Sequence, residues 1–339
     1  MPFNYFNVLS KDDKELIHSS FIKFLIEDGE TSSYFLHALF PAFKKQLNKE
    51  SIELERGYQR KRIDIEAWSE DGQDILIVEN KFKSFPYKEQ LEEYDAIYSH
   101  HHPEKNYTKY LLCFDPELVE FDSGEWHFVG YQDVYRIIDT YLETDHGLDP
   151  EKEYFIRHYS EFLRGYFVQY IERLNSCRTL YQHTNDKSNK FWLRLINCIL
   201  VQKLNEEFSR RNITIKRYDL NPGNTSVPVL NIVPEAWNRE GAIELLIQFQ
   251  GRSLKYYCHS GDVNVVQPLF NDARALILDT PPTAKFGRLT RRKVRSCFIF
   301  KEDFFIGFPE DEDFDVNDVV QRLLTFFDKI NPVASARFD

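Results

Sequence analysis

Apolar residues recur at helical spacing near the start of the chain. Leu16, Ile17, Phe21, Phe24 and Leu25 form one face of a helix predicted over 11–26. Ser10 is placed to cap it, with Asp12 and Asp13 in its first turn. A second helix over 33–47 is expected to kink or break at Pro41. The period then shifts to two. Strands are predicted over 60–68 and 74–82, flanking Asp71-Gly72, a preferred hairpin turn. A helix over 86–99, a strand over 107–114 ended by Asp115-Pro116, a strand over 125–129 and a helix over 131–143 follow. This order predicts a mixed α/β domain.

The second half reads differently. Phe155, Tyr159, Phe162, Tyr166, Tyr170 and Leu174 give a long helix over 151–175, and another is expected over 187–208. Four strand-like stretches come next, over 213–219, 227–233, 242–250 and 253–259. Asn221-Pro222-Gly223-Asn224 and Gln250-Gly251 supply turns between them. A strand over 296–301 and a helix over 316–329 complete an α+β pattern. A length of 339 residues fits two domains, divided here as 1–180 and 181–339. No glycine-rich phosphate loop, Gly-x-Ser-x-Gly or His-Glu-x-x-His pattern is present.

The hairpin carries the candidate chemistry. With the turn centred on Asp71-Gly72, Trp68 faces Ile75, Glu66 faces Ile77, Asp64 faces Glu79 and Arg62 faces Lys81. The opposite face, with Ile63, Ile65, Ala67, Leu76 and Val78, is almost wholly apolar. Two carboxylates about 5 Å apart repel by roughly 3 kcal/mol at an effective dielectric near 20. Such a pair is tolerated if it shares a proton, meets an arginine or binds a cation. Carboxylate oxygens with open water positions suit Mg²⁺. Lys81 shares the face and could hold a water or a phosphate oxygen. The alternative is a solvated sheet face on which Arg62 and Lys81 balance Asp64 and Glu79. A loop with an odd residue count would also remove the alignment.

Composition changes this picture in two ways. The net charge of −11 is awkward for a nucleic-acid enzyme, because phosphate affinity comes from Lys and Arg. Basic residues are concentrated at Arg56, Arg60, Lys61 and Arg62, and at Arg288, Arg291, Arg292, Lys293 and Arg295, although each cluster also reads as solvated surface. Five scattered cysteines suggest neither a disulfide framework nor a zinc site, and fit reduced thiols in the cytoplasm. The first residues lack a signal-peptide pattern, and no uncharged apolar run reaches membrane-spanning length. His100, His101 and His102 read as a polar loop, and His18 as a packed or capping residue.

Ile63-Asp64, the turn, and Glu79-Asn80-Lys81 after an apolar strand resemble the PD-(D/E)xK nuclease superfamily, which includes many restriction endonucleases and lambda-type exonucleases. Gln90 and Tyr94 match a Gln-x-x-x-Tyr motif of its exonuclease-like branch, and Glu15 matches an acidic residue that it often carries on the N-terminal helix. The resemblance covers about residues 10–140, and Ile63 replaces the proline of the superfamily's name. It implies a restriction-endonuclease-like mixed sheet flanked by helices. It implies Asp64 and Glu79 as ligands of Mg²⁺ or Mn²⁺, with the Asn80 carbonyl completing the shell. Lys81 would orient the attacking water, and Glu15 would hold a second metal or a water. Gln90 and Tyr94 would reach the substrate backbone or brace the ligands. The expected activity is phosphodiester hydrolysis, on DNA in preference to RNA, in defence or repair. Arg62, Arg291 and Arg292 are the expected phosphate contacts, and the second half is a candidate for binding substrate, a partner chain or a second copy. The rival expectation is a catalytically silent nucleic-acid-binding or assembly module on the same fold.

Overall fold

A computed structural model describes residues 4–8, 15–58, 61–82, 84, 88–119, 124–186, 189–220, 227–238, 243–259, 263–277, 280–287 and 296–335. The expected cap at Ser10, Asp12 and Asp13, the expected turn at 221–224 and the basic segment 288–295 lie outside these residues. The chain divides into two compact units, Met1–Gln169 and Tyr170–Asp339. The sequence reading places its domain division after residue 180, and these compact units divide between Gln169 and Tyr170.

In the first unit the elements run α1 (Tyr5–Val8), α2 (Glu15–Glu27), α3 (Ser32–Leu39), β1 (Glu53–Tyr58), β2 (Lys61–Trp68), β3 (Asp74–Lys81), α4 (Lys88–His101), β4 (Asn106–Cys113), β5 (Trp126–Gly130), α5 (Tyr131–Leu142) and α6 (Pro150–Asn175). The five strands lie in the order β1-β2-β3-β4-β5. β1, β2 and β3 pair antiparallel, and β3, β4 and β5 pair parallel. Helix α4 is therefore the crossover that parallel β3 and β4 require. Helix α3 stops at Leu39, two residues before Pro41, which is the break expected there, and the helix does not resume toward 47.

Strand β1 is absent from the sequence reading. Its residues, Glu-Leu-Glu-Arg-Gly-Tyr, are mostly exposed, and Glu55 takes a positive φ of 50°. An edge strand of this kind buries neither face, so it leaves no alternating pattern.

The hairpin register follows from the turn. Ile65 pairs with Val78, Glu66 with Ile77, Ala67 with Leu76 and Trp68 with Ile75. Gly72 sits in the turn at φ +66°, which glycine adopts without a Cβ penalty. Ile65, Ala67, Leu76 and Val78 are fully buried on one face. Asn80, on the same side of β3, bonds to α2 and to Tyr131 of α5, so those helices cover that face. On the other face Ile75 and Ile77 pack with Leu91, Tyr94 and Tyr98 of α4 and with Leu111 and Trp126.

The second unit contains α7 (Arg178–Gln182), α8 (Asn189–Arg210), β6 (Ile215–Leu220), β7 (Val229–Pro234), β8 (Glu244–Gln250), β9 (Ser253–His259), α9 (Val263–Leu276), β10 (Lys285–Phe286), β11 (Ser296–Asp303) and α10 (Val316–Ser335). Its antiparallel sheet has the order β10-β11-β9-β8-β7-β6. One face, with Ile232, Ile247, Tyr256 and Phe300, is buried, with Trp237 against Tyr256 and Phe326 of α10 against Phe300. Helix α9 contains Pro268 and escaped the sequence reading; α10 runs through Pro332 to Ser335, past the expected end. Among the described residues no helix is long and apolar enough to cross a membrane.

Ile77 lies fully buried in the α4-side core, two residues before Glu79. Ile77→Ala is expected to destabilise the fold by about 2–5 kcal/mol through lost burial and a residual cavity. Urea denaturation checks this; a change under about 1 kcal/mol would mean that the α4 face is not tightly packed.

Candidate functional site

The site forms where β2 and β3 part. Their ladder ends at Ile65 and Val78, so the expected cross-strand pairs Asp64–Glu79 and Arg62–Lys81 are not part of it. Beyond that point β2 pairs with β1, Ile63 with Arg56 and Arg62 with Gly57. Side chains take over the freed backbone groups of the opening. The Asp64 carboxylate accepts the Asn80 backbone N–H at 2.7 Å. The Tyr94 hydroxyl donates to the Arg62 carbonyl at 2.7 Å. Within a strand the N–H and C=O of one residue point to the same side, so the Asn80 carbonyl is also directed toward β2.

Glu79 is the most constrained group. It is 2 % exposed, and one oxygen, Oε1, receives Lys81 Nζ at 2.5 Å and Gln90 Nε2 at 2.9 Å. Its other oxygen, Oε2, is buried and has no hydrogen-bond partner. A buried carboxylate oxygen left unpaired costs free energy, which a cation would offset. Burial raises the Glu79 pKa above the ordinary range, against the opposing pull of Lys81. Asp64 is pushed up to about 8, first by burial and then by the Glu79 charge, despite its bond to the Asn80 amide. For Lys81, burial works downward, but Glu79, Glu15 and Asp64 outweigh it and raise its pKa. The lysine is therefore a fixed positive charge.

Gln90 and Tyr94 lie one turn apart on α4 and act on the same group. The Gln90 side-chain amide donates both to Glu79 and, at 3.0 Å, to the Tyr94 hydroxyl. The Tyr94 ring is part of the apolar core while its hydroxyl braces the opening. Glu15, at the start of α2, is bonded by the Ser84 hydroxyl and acts electrostatically on Asp64, Glu79 and Lys81. Among the described residues no three His, Cys, Asp or Glu side chains gather as a metal group, so the acids do not close into a cage. A cation here would take its ligands from Asp64, Glu79 and the Asn80 carbonyl, a hard oxygen set.

Other expected residues are placed elsewhere. The Arg62 side chain is 69 % exposed and lies 3.7 Å from Glu55 of β1, so this residue meets the site through its carbonyl. Arg291 and Arg292 lie outside the described residues. His18 is fully buried, with Nδ1 2.8 Å from the Tyr159 hydroxyl and its ring against Phe82. His100 and His101 end α4, and His102 reaches the Tyr58 hydroxyl at 3.1 Å.

Two arrangements escaped the sequence reading. The Asn80 side chain, 1 % exposed, donates to the Glu15 carbonyl at 3.1 Å and to Ser19 Oγ at 2.9 Å, and accepts from the Tyr131 hydroxyl at 2.7 Å. It ties α2 and α5 to the strand that carries Glu79 and Lys81. Its partners lie 51 to 65 residues away, so no local spacing marks them. Glu66, 2 % exposed, accepts from Tyr58 at 2.7 Å, Trp68 at 2.9 Å and Tyr98 at 2.6 Å. Its alternation with Asp64 showed only that the two share a face.

The raised Asp64 pKa has a consequence for the metal-free protein. The folded state keeps this proton up to about pH 8, whereas the unfolded chain loses it near 3.8. The associated stability is complete below the lower value and is lost as the pH rises toward the higher one. Asp64→Asn keeps an acceptor for the Asn80 amide and removes the titration. With EDTA present, the urea midpoint of the wild type should fall between about pH 5 and pH 8, and that of the variant should fall less. Parallel curves would show that Asp64 titrates as an ordinary carboxylate.

Residues 3–161 match the family model described as the PD-(D/E)XK nuclease superfamily. No curated protein and no solved structure matches the chain. The matched segment holds the mixed sheet, the parted hairpin, Glu15, Asp64, Glu79, Asn80, Lys81, Gln90 and Tyr94. The match spans just under half of the chain, and over residues 3–161 its first unit is similar to the PD-(D/E)XK nuclease superfamily.

Proposed function

We propose that this chain is a divalent-metal-dependent nuclease that hydrolyses phosphodiester bonds, with DNA as its substrate in preference to RNA. The observation that carries the reading is the unpartnered, buried Oε2 of Glu79 beside Asp64, with Lys81 held on the other oxygen. Asp64, Glu79 and the Asn80 carbonyl would hold Mg²⁺ or Mn²⁺. When bound, the ion supplies Lewis acidity to the phosphoryl group and an acidified water. Lys81, kept protonated, orients the nucleophile and stabilises negative charge that develops on the phosphate; it does not serve as the base. Gln90 and Tyr94 fix the Glu79 carboxylate and the parted strand. Glu15 adds negative charge at the rim, where a water or a second cation would be held.

The preference for DNA, and a role in defence or repair, rest on the resemblance to restriction and exonuclease families. None of the five cysteines is joined in a disulfide, which fits a reducing compartment such as the cytoplasm. The second unit is the part available to contact substrate, a partner chain or a second copy. The net charge of −11 favours a second reading, a silent nucleic-acid-binding or assembly module on the same fold.

Cleavage of linear and circular DNA, and of RNA, separates the two. Wild type with Mg²⁺ or Mn²⁺ should cut, EDTA should abolish cutting, and Lys81→Ala should lower the rate by about 10²-fold or more. No cutting of any substrate, together with no Mn²⁺ binding by calorimetry, would sink the enzymatic reading. Gln90→Ala removes a donor that orients Glu79, and should weaken Mn²⁺ binding by about 10–100-fold. Unchanged affinity would reduce Gln90 to a bystander.

A further inference from the structure

The second sheet carries a feature that the nuclease centre does not use. On the face opposite Ile232, Ile247, Tyr256 and Phe300, one transverse row runs across all six strands. Lys285 pairs with Lys301, Lys301 with Lys255, Lys255 with Gln248, Gln248 with Asn231 and Asn231 with Asp219. Three lysines thus stand side by side on β10, β11 and β9. Like charges on directly opposed residues destabilise a sheet, so the row is costly without a counter-charge.

The one acid in the row, Asp219 at its far end, is paired with Arg217 and supplies the lysines no counter-charge. Among the described residues none of the three lysines forms an ion pair with a carboxylate. The Lys255 ammonium donates instead to two neutral amide oxygens, of Gln248 and Gln250, each at 2.8 Å. Burial, and then the neighbouring Lys301 charge, lower its pKa to about 8. The carboxylates along these strands are already engaged. Asp219 and Glu244 bind Arg217, Asp303 binds Arg252, and Glu302, which follows Lys301 in β11, binds Arg322 and Lys329. All this occurs in a chain of net charge −11, so the row is a local reversal of the overall sign.

We propose that the row Lys285–Lys301–Lys255 is a binding strip for the phosphate backbone of a nucleic-acid strand. With neighbouring strands about 4.8 Å apart, three positions span about 10 Å. Over that length one strand of a duplex presents about three charges. Lysines set in a line, rather than converging on a point, match a repeated charge better than a single anion. Gln248 and Asn231 extend the row with neutral amides joined at 3.2 Å, so the positive end is the one at β10. The identity of the ligand rests on the nuclease reading, but the strip is separate from the Asp64–Glu79–Lys81 centre.

The test is binding of a fluorescent oligonucleotide, single- and double-stranded, to the full chain in EDTA across a salt series, followed by anisotropy. The triple variant K255Q/K301Q/K285Q should bind at least about tenfold more weakly at low salt, and its log–log salt slope should shrink by about 2–3. The control K44Q/K49Q/K216Q makes the same charge change at exposed lysines and should change both far less. Thermal denaturation verifies that the variants are folded; if the triple variant is not, the single variant K285Q, at an exposed position, should still shrink the slope by about 1. Equal losses in test and control triples, an unchanged slope, or no oligonucleotide binding by wild type would overturn the proposal. Row-dependent binding of polyglutamate without oligonucleotide binding would also overturn it, in favour of an acidic protein partner. Row-dependent binding in a chain that never cleaves would leave the strip standing and sink the nuclease reading. Cleavage with row-independent binding would do the reverse.

Discussion

A carboxylate at 2 % exposure inside a sheet core has to be compensated, and Glu79 sets that requirement for the first unit. Lys81, two residues along the same strand, meets half of it by taking Oε1. Gln90 adds a neutral donor to the same oxygen, which leaves Oε2 without a hydrogen-bond partner. The unmet half lies beside Asp64, whose own pKa is pushed up to about 8, first by burial and then by the Glu79 charge. Removing a carboxylate would relieve the burial cost, and its retention fits a site built to receive a cation.

The opening of the hairpin makes this arrangement possible. A fully zipped β2–β3 ladder would pair the Asn80 amide with backbone and leave Asp64 as one more face residue. Instead the ladder stops at Ile65 and Val78, and the Asp64 and Tyr94 side chains satisfy the Asn80 N–H and the Arg62 carbonyl. These two side-chain bonds take the place of ladder bonds at the opening, while the Asn80 carbonyl is left for a ligand. Asn80 then fixes the parted strand to α2 and α5 with both amide hydrogens and its oxygen. One asparagine thereby links the placement of Glu15, Asp64, Glu79 and Lys81.

The two units handle charge in opposite ways. In the first, buried acids are surrounded by hydroxyl, amide and lysine donors, as at Glu66 with Tyr58, Trp68 and Tyr98. In the second, buried Glu302 is neutralised by Arg322 and Lys329, while three lysines on β9, β10 and β11 have no carboxylate partner among the described residues. In this chain of net charge −11, cross-strand register gathers the row from residues far apart in sequence. This also bears on the apparent conflict between overall acidity and phosphate binding, since affinity follows local rather than net charge.

Much of the first unit was legible from the sequence because strand and helix periods are local properties of the backbone. The alternation around Asp71-Gly72 predicted the pairs Trp68–Ile75 and Glu66–Ile77 that the ladder contains. The four-residue spacing of Gln90 and Tyr94 put them on one helix face, where they do meet Glu79. Local pattern could not show that the ladder ends before Asp64, that Arg62 turns to Glu55 on an edge strand without a pattern of its own, or that Asn80 is a buried hub. Those outcomes depend on which elements pack together, with partners 51 or more residues away. The lysine row in the second unit is of the same kind, since Lys255, Lys285 and Lys301 become neighbours only when β9, β10 and β11 lie side by side. The sequence by itself determined which groups were present and, along the paired part of the hairpin, which face each occupied; Ile63, expected beside Ile65, packs instead in the α4-side core. Only the tertiary structure decided which were buried, which were left without partners, and so which could act on a ligand.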